Sequence, residues 1–143
     1  MCTEIYMGTV DHSIDLTLED SPSGLWIHPV PPGPRVQRAL IELDSVYEIG
    51  SFMGCSCGLV FRDSFKDDPA ENYGQRVANV RELQEILCEH STHIVRIMTL
   101  LDYNICSLEK FPRLMLDLDQ MRDAKEFDFE SDCVYEIGSG RHR

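Results

Sequence analysis

The chain has 143 residues, of which 43% are apolar and 27% charged, and carries a formal charge of -12, with a pI near 4.7. This composition suits one soluble globular domain that buries a core without disulfide staples. The negative field repels phosphates, which excludes nucleic acid and anionic membranes as favoured partners. No window approaches the ~18 uninterrupted apolar residues of a membrane span, and the amino terminus lacks the basic, apolar, small-residue order of a secretory signal, so a cytoplasmic location is expected.

From Cys2 to Val10 the residues Ile5, Tyr6, Thr9 and Val10 suit a pleated, half-buried surface, and the pattern predicts a strand ending near Gly8. The following stretch holds Ser21-Pro22-Ser23-Gly24 and a proline run from Pro29 to Pro34, which leaves room only for a short edge strand over Leu25 to His28. Val36, Ala39, Leu40 and Leu43 recur at helical spacing, so a short amphipathic helix is expected over Arg35 to Leu43. Val46 to Ile49 then reads as a strand that stops at Gly50. Leu59 to Phe61 is expected to resume pairing beyond the loop that follows.

Asp63 to Glu71 is polar and reads as an exposed connection. Asn79 and Glu82 stand in capping-box order and predict a helix over about Asn79 to Glu89, preceded by an extra turn over Tyr73 to Ala78. Its inward stripe would be Val80, Leu83, Leu87 and Ile86. Ile94 to Leu101 is rich in β-branched residues and predicts a buried central strand, in which Arg96 is the awkward residue. Leu114 to Leu116 reads as a short strand, Asp119 to Ala124 as a helical turn, and Phe127 to Ile137 as alternating strand material.

One segment echoes another. Asp44-Ser45-Val46-Tyr47-Glu48-Ile49-Gly50-Ser51 returns as Asp132-Cys133-Val134-Tyr135-Glu136-Ile137-Gly138-Ser139, with seven of eight positions identical. The flanks do not match, so two strands meeting the same turn requirement are the plain account and pseudo-symmetry, or pairing of like strands between subunits, the sharper one.

The chemically loaded stretch is Gly54-Cys55-Ser56-Cys57-Gly58, directly after a predicted strand. In a reducing compartment the six cysteines act as core filler, ligands or reactive thiols. In extended backbone Cys55 and Cys57 would aim both sulfurs at one point, which is half of a tetrahedral zinc shell. No second Cys-x-Cys or Cys-x-x-Cys completes it, and Cys2 is the best further ligand because its strand and the Val46 to Ile49 strand would be neighbours. Alternatively, the flanking glycines turn amide N–H groups towards one sulfur and make a nucleophile of Cys55 or Cys57, with His90 or His93 as base. The plain reading is a tight turn with two small thiols that pack.

Cys2 would become an amino-terminal nucleophile if Met1 were removed, although folds using that chemistry are usually larger. His90 and His93 fall beyond a helix end, where the helix dipole accounts for them. Asp117, Asp119, Asp123, Glu126, Asp128, Glu130 and Asp132 lack the glycine of a calcium loop and read as a solvated acidic face.

The opening Met1-Cys2 with its strand ending in Gly8, the Val46 to Ser51 run into Gly54-Cys55-Ser56-Cys57-Gly58, and the helix followed by the Val95 to Leu101 strand together resemble a group of uncharacterised bacterial proteins. Members of that group often carry a His before the cysteines, where this chain has Phe52 and Met53. The resemblance implies no reaction.

The expected architecture is a single α+β domain over residues 1–137 with a loose tail over 138–143. Its mixed, mostly antiparallel sheet of about four to six strands would be packed by two main helices. Three functions follow: zinc binding through Cys55, Cys57 and Cys2; a regulatory module that binds a protein partner or a second copy of the chain, its acidic surface selecting a basic partner; and thiol chemistry.

Overall fold

The computed structural model describes residues 3–10, 14–30, 45–59, 70–100, 111–123, 127–130 and 132–137, without the side chains of Cys57, Gly58, Ala70, Glu71, Asn72 and Val95. Six strands form one sheet: β1 (Glu4–Thr9), β2 (Trp26–Pro29), β3 (Ser45–Gly50), β4 (Ile94–Leu100), β5 (Arg113–Leu116) and β6 (Cys133–Ile137). Their order is β2-β3-β1-β4-β6-β5. Every neighbouring pair is antiparallel except β5 with β6, which is parallel.

Strand alternation sorts the side chains between two faces. Ile5 and Met7 of β1, Ile27 of β2, Tyr47 and Ile49 of β3, Ile97 of β4 and Tyr135 of β6 join one buried cluster with Val77, Val80, Leu83 and Leu87 of the helix. Val46, Met98, Leu100 and Val134 join Phe111 in a second, smaller cluster on the opposite face.

One α-helix packs the sheet among the described residues, α1 (Ala70–Glu89), where two main helices were expected. The predicted Arg35 to Leu43 helix lies outside the described residues. The Asn79 to Glu89 prediction captured only the second half of α1, and Tyr73 to Ala78 belong to its interior. Asn79 is no cap: it is fully buried in the middle of the helix, and its amide is spent on two loops. Its Nδ2 donates to the Ser23 carbonyl at 2.7 Å and to the Ser23 hydroxyl at 3.0 Å, and its Oδ1 accepts the Phe52 amide at 2.8 Å. An asparagine that caps and one that clamps look alike in sequence, because both offer a short side-chain amide to backbone groups. The inward stripe Val80, Leu83 and Leu87 is as expected, with Ile86 partly buried beside it.

Arg96 is answered across the sheet, where its Nε lies 2.8 Å from Glu136 Oε2 on β6. The echoed segments occupy matching places, β3 second from one edge and β6 second from the other. Their tyrosines both tie a loop to the helix-side face. Tyr47 donates its hydroxyl to the Ile14 carbonyl at 3.1 Å, and Tyr135 accepts the Glu130 amide at 2.8 Å. The likeness stops at the edges, because β2 runs antiparallel to β3 while β5 runs parallel to β6.

Candidate functional site

The cysteine loop leaves the end of β3 at the rim of the sheet and is built by serines. Gly54, at φ +84°, lets the chain turn back so that its amide donates to the Ser51 carbonyl at 3.0 Å. The Ser51 amide and hydroxyl both donate to the Cys55 carbonyl, at 2.8 and 2.6 Å. Ser56 is buried and stitches two strands, donating to the Ile49 carbonyl of β3 and accepting the Ile5 amide of β1 at 3.1 Å. A 3-10 turn over Ser56–Leu59 follows, and it drives Leu59 fully into the core.

This geometry corrects the backbone premise for the thiols. Sulfurs two residues apart face one side only in extended chain, and here the chain is turned from Ser51 through Leu59. Cys55 is half-buried. Cys2 and the Cys57 side chain lie outside the described residues, as do Val60 and Phe61, while Leu59 belongs to the 3-10 turn and to no strand. Among the described residues no group of three or more His, Cys, Asp or Glu is placed to hold a metal ion. The two strands expected to be neighbours are so, since β1 pairs with β3.

Of the other described thiols, Cys88 is exposed and Cys133 is buried. Burial, with help from Glu130 and Asp132, pushes the Cys133 thiol up to about 11, so it stays protonated at neutral pH and behaves as core.

The feature that sequence did not reveal is a groove of about 570 Å³ on the helix-side face beside β5. Leu114, Leu116, Phe127 and Tyr135 supply apolar lining, and Asp117, Asp119, Asp123, Asp128 and Glu130 supply five carboxylates. No Lys or Arg lines it among the described residues, although Arg76 meets Asp128 from behind and Arg122 Nη2 lies 3.6 Å from Asp119 Oδ1. The acidic run was visible in sequence as a charged face; its apolar floor was not, because that floor comes from β5, β6 and the segment 127–130.

A fully buried arginine holds the back wall. Arg76 of α1 places Nη2 3.0 Å from Asp128 Oδ1 and 3.0 Å from the Phe127 carbonyl, which fixes this segment against the helix. The edge-on rings Phe127–Phe129 and Phe129–Tyr135 extend the wall, at 4.9 and 5.3 Å between centroids. Burial raises the Tyr135 phenol to about 12, against the lowering effect of the Glu130 amide, so Tyr135 is neutral and structural.

No family model, no curated protein and no solved structure matches this chain.

A second groove, of about 470 Å³, lies at the other edge of the sheet beside β2 and is lined by Glu19, Asp20, Trp26 and His28 among others. It carries two carboxylates, of which Glu19 lies 3.4 Å from His28 Nε2, where the first carries five, of which Asp128 meets Arg76 and Asp119 lies 3.6 Å from Arg122 Nη2. No helix among the described residues is long and apolar enough to cross a membrane.

Proposed function

We propose that this chain is a partner-binding module whose groove beside β5 takes a cationic segment of another protein, with the cysteine loop acting as a structural turn. The observation that carries the reading is the pairing of five carboxylates with an apolar floor in one groove. Lysine and arginine fit both halves, since their aliphatic stems lie on Leu114, Leu116 and Phe127 while their heads meet the carboxylates. A net charge of -12 speeds the encounter with such a partner. A reducing, cytoplasmic setting belongs to the same proposal, as does kinship with the bacterial group sharing the Gly-Cys-x-Cys-Gly loop.

The test is a fluorescence-anisotropy titration of a labelled octapeptide alternating lysine and valine. The Asp119→Asn/Asp123→Asn protein is expected to bind it about 3- to 10-fold more weakly, as the loss of two exposed charge contacts implies. Glu85→Gln/Glu89→Gln, which removes two exposed charges from α1, leaves binding unchanged. Equal loss in both variants would mean that only the overall charge attracts the peptide, and the reading would be wrong. Absence of saturable binding has the same meaning.

One observation favours a second reading, zinc held by Cys55, Cys57 and Cys2. The Ile5 amide on the Ser56 hydroxyl fastens the start of β1 to the cysteine loop. Stoichiometric zinc in untagged protein, lost in Cys55→Ser/Cys57→Ser, supports it; metal-free protein, or equal metal in the variant, removes it.

A further inference from the structure

The two edges of the sheet are treated differently. At one edge, the Leu18 amide donates to the Ile27 carbonyl at 2.9 Å and the Ile27 amide donates back at 3.0 Å, so β2 is covered from outside. Pro29 ends that strand without a donor. Sheets that stay monomeric guard their edges in such ways. At the other edge β5 is the last strand, and no described residue pairs with its outer side.

The parallel ladder says which backbone groups face outward there. The Val134 amide donates to the Pro112 carbonyl at 2.9 Å, and Arg113 stands opposite Val134 in register. In a parallel pair this spends the backbone of Pro112, Leu114 and Leu116 on β6 and turns the N–H and C=O groups of Arg113 and Met115 to the outside. The side chains that guard an edge are weak here. Of the four β5 residues only Arg113 is charged, its Nη1 3.3 Å from Glu136 Oε2, an oxygen it shares with Arg96, and Met115 is an apolar residue 67% exposed.

We propose that the cationic segment binds as an added strand on the outer edge of β5, pairing with the backbone of Arg113 and Met115. The inference rests on the groove reading above and specifies its geometry. Alternate side chains of an added strand point to opposite faces. Those on the helix side reach over Leu114 and Leu116 towards Asp117, Asp119 and Asp123, so they are basic. Those on the other side lie beside Met115, so they are apolar. The partner class is therefore an extended segment alternating basic and apolar residues.

Backbone methylation tests this on unmodified protein. Two versions of the lysine–valine octapeptide carry N-methyl groups on all lysine amides or on all valine amides. Strand addition predicts that one pattern, the one facing β5, weakens binding about tenfold or more, while the other changes it less than about threefold. On the protein side, Met115→Pro removes one outward N–H without touching the β5–β6 ladder and weakens binding to a similar degree, whereas Met115→Leu keeps both the N–H and an apolar side chain of similar volume and weakens binding less than about threefold. Should Met115→Pro fail to fold, the methylated peptides still decide. If both patterns act equally and Met115→Pro binds like the unaltered chain, the added strand is wrong and the groove reading survives. If the unmethylated peptide does not bind at all, both fall.

Discussion

The Trp26 indole lies over Gly50 across the β2–β3 pair, so close that a Cβ at residue 50 would fall 1.8 Å from Trp26 Cε2 and 1.9 Å from Cζ2. The other side of the arrangement is His28, stacked with the indole at 4.8 Å between centroids. Glycine is required at residue 50 for space alone.

Gly50→Ala therefore forces the indole off its site. Overpacking of this kind costs about 1–3 kcal/mol. Trp26 is the only tryptophan in the chain, so urea unfolding followed by its fluorescence reads the effect directly. The expected result is a lower midpoint together with red-shifted native emission; an unchanged spectrum and midpoint would show that the ring has another resting place. Gly54→Ala is the contrast, because a Cβ there meets nothing within 4 Å and only the positive φ of +84° opposes it.

Asn79 holds the turn before β2 and the turn after β3 to the same point of α1. Asn79→Ala takes the Asn79 Oδ1 acceptor from the Phe52 amide and one of two donors from the Ser23 carbonyl, which keeps Gln75 Nε2, a loss of about 1–3 kcal/mol. Faster hydrogen exchange at the Phe52 amide should accompany it. Unaltered exchange at Phe52 with a normal urea midpoint would mean that the clamp contributes nothing.

Burial raises the Glu48 carboxyl above its ordinary range, the neighbouring Glu4 adds to the shift, and His28 opposes it. The native chain then holds the Glu48 proton more tightly than the unfolded chain does. Stability falls as pH rises from the ordinary carboxyl range through the raised native value, and the penalty is complete above it. Glu48→Gln removes that penalty, so its advantage over the unaltered chain should grow with pH across the acid range and level off near neutrality. Denaturation midpoints of the two proteins between about pH 4 and 8 check this. Parallel profiles would place the raised proton elsewhere.

Strands were readable because their signal is local. Val46 to Ile49, Ile94 to Leu101 and Leu114 to Leu116 are short runs of β-branched and apolar residues, and each became a strand with described ends close to those expected. The repeated Val-Tyr-Glu-Ile segment was also visible, and only the strand order gave it matching places. The error over the helix came from Asn79 and from Arg76 and Gln84, also buried. They interrupt the apolar stripe of α1 because each reaches a loop, Gln84 through its amide to the Leu118 carbonyl at 3.2 Å. Polar residues on the inward face of a helix hide it from a periodicity reading.

The amino-acid sequence by itself determined an acidic chain with strands near Glu4–Thr9, Trp26–Pro29, Ser45–Gly50, Ile94–Leu100 and Arg113–Leu116, since composition and alternation act over a few residues, but not the single helix among the described residues or the ends of the last strand. Tertiary structure alone decided the rest. It turned the chain through the cysteine loop, where extended backbone was expected, by tying Ser56 to two strands, and it laid the acidic run along an apolar floor drawn from separate segments. Hydrogen bonds and packing between residues distant in sequence leave no local periodicity, so the edge at β5 and the groove beside it became visible only once the strands were in order.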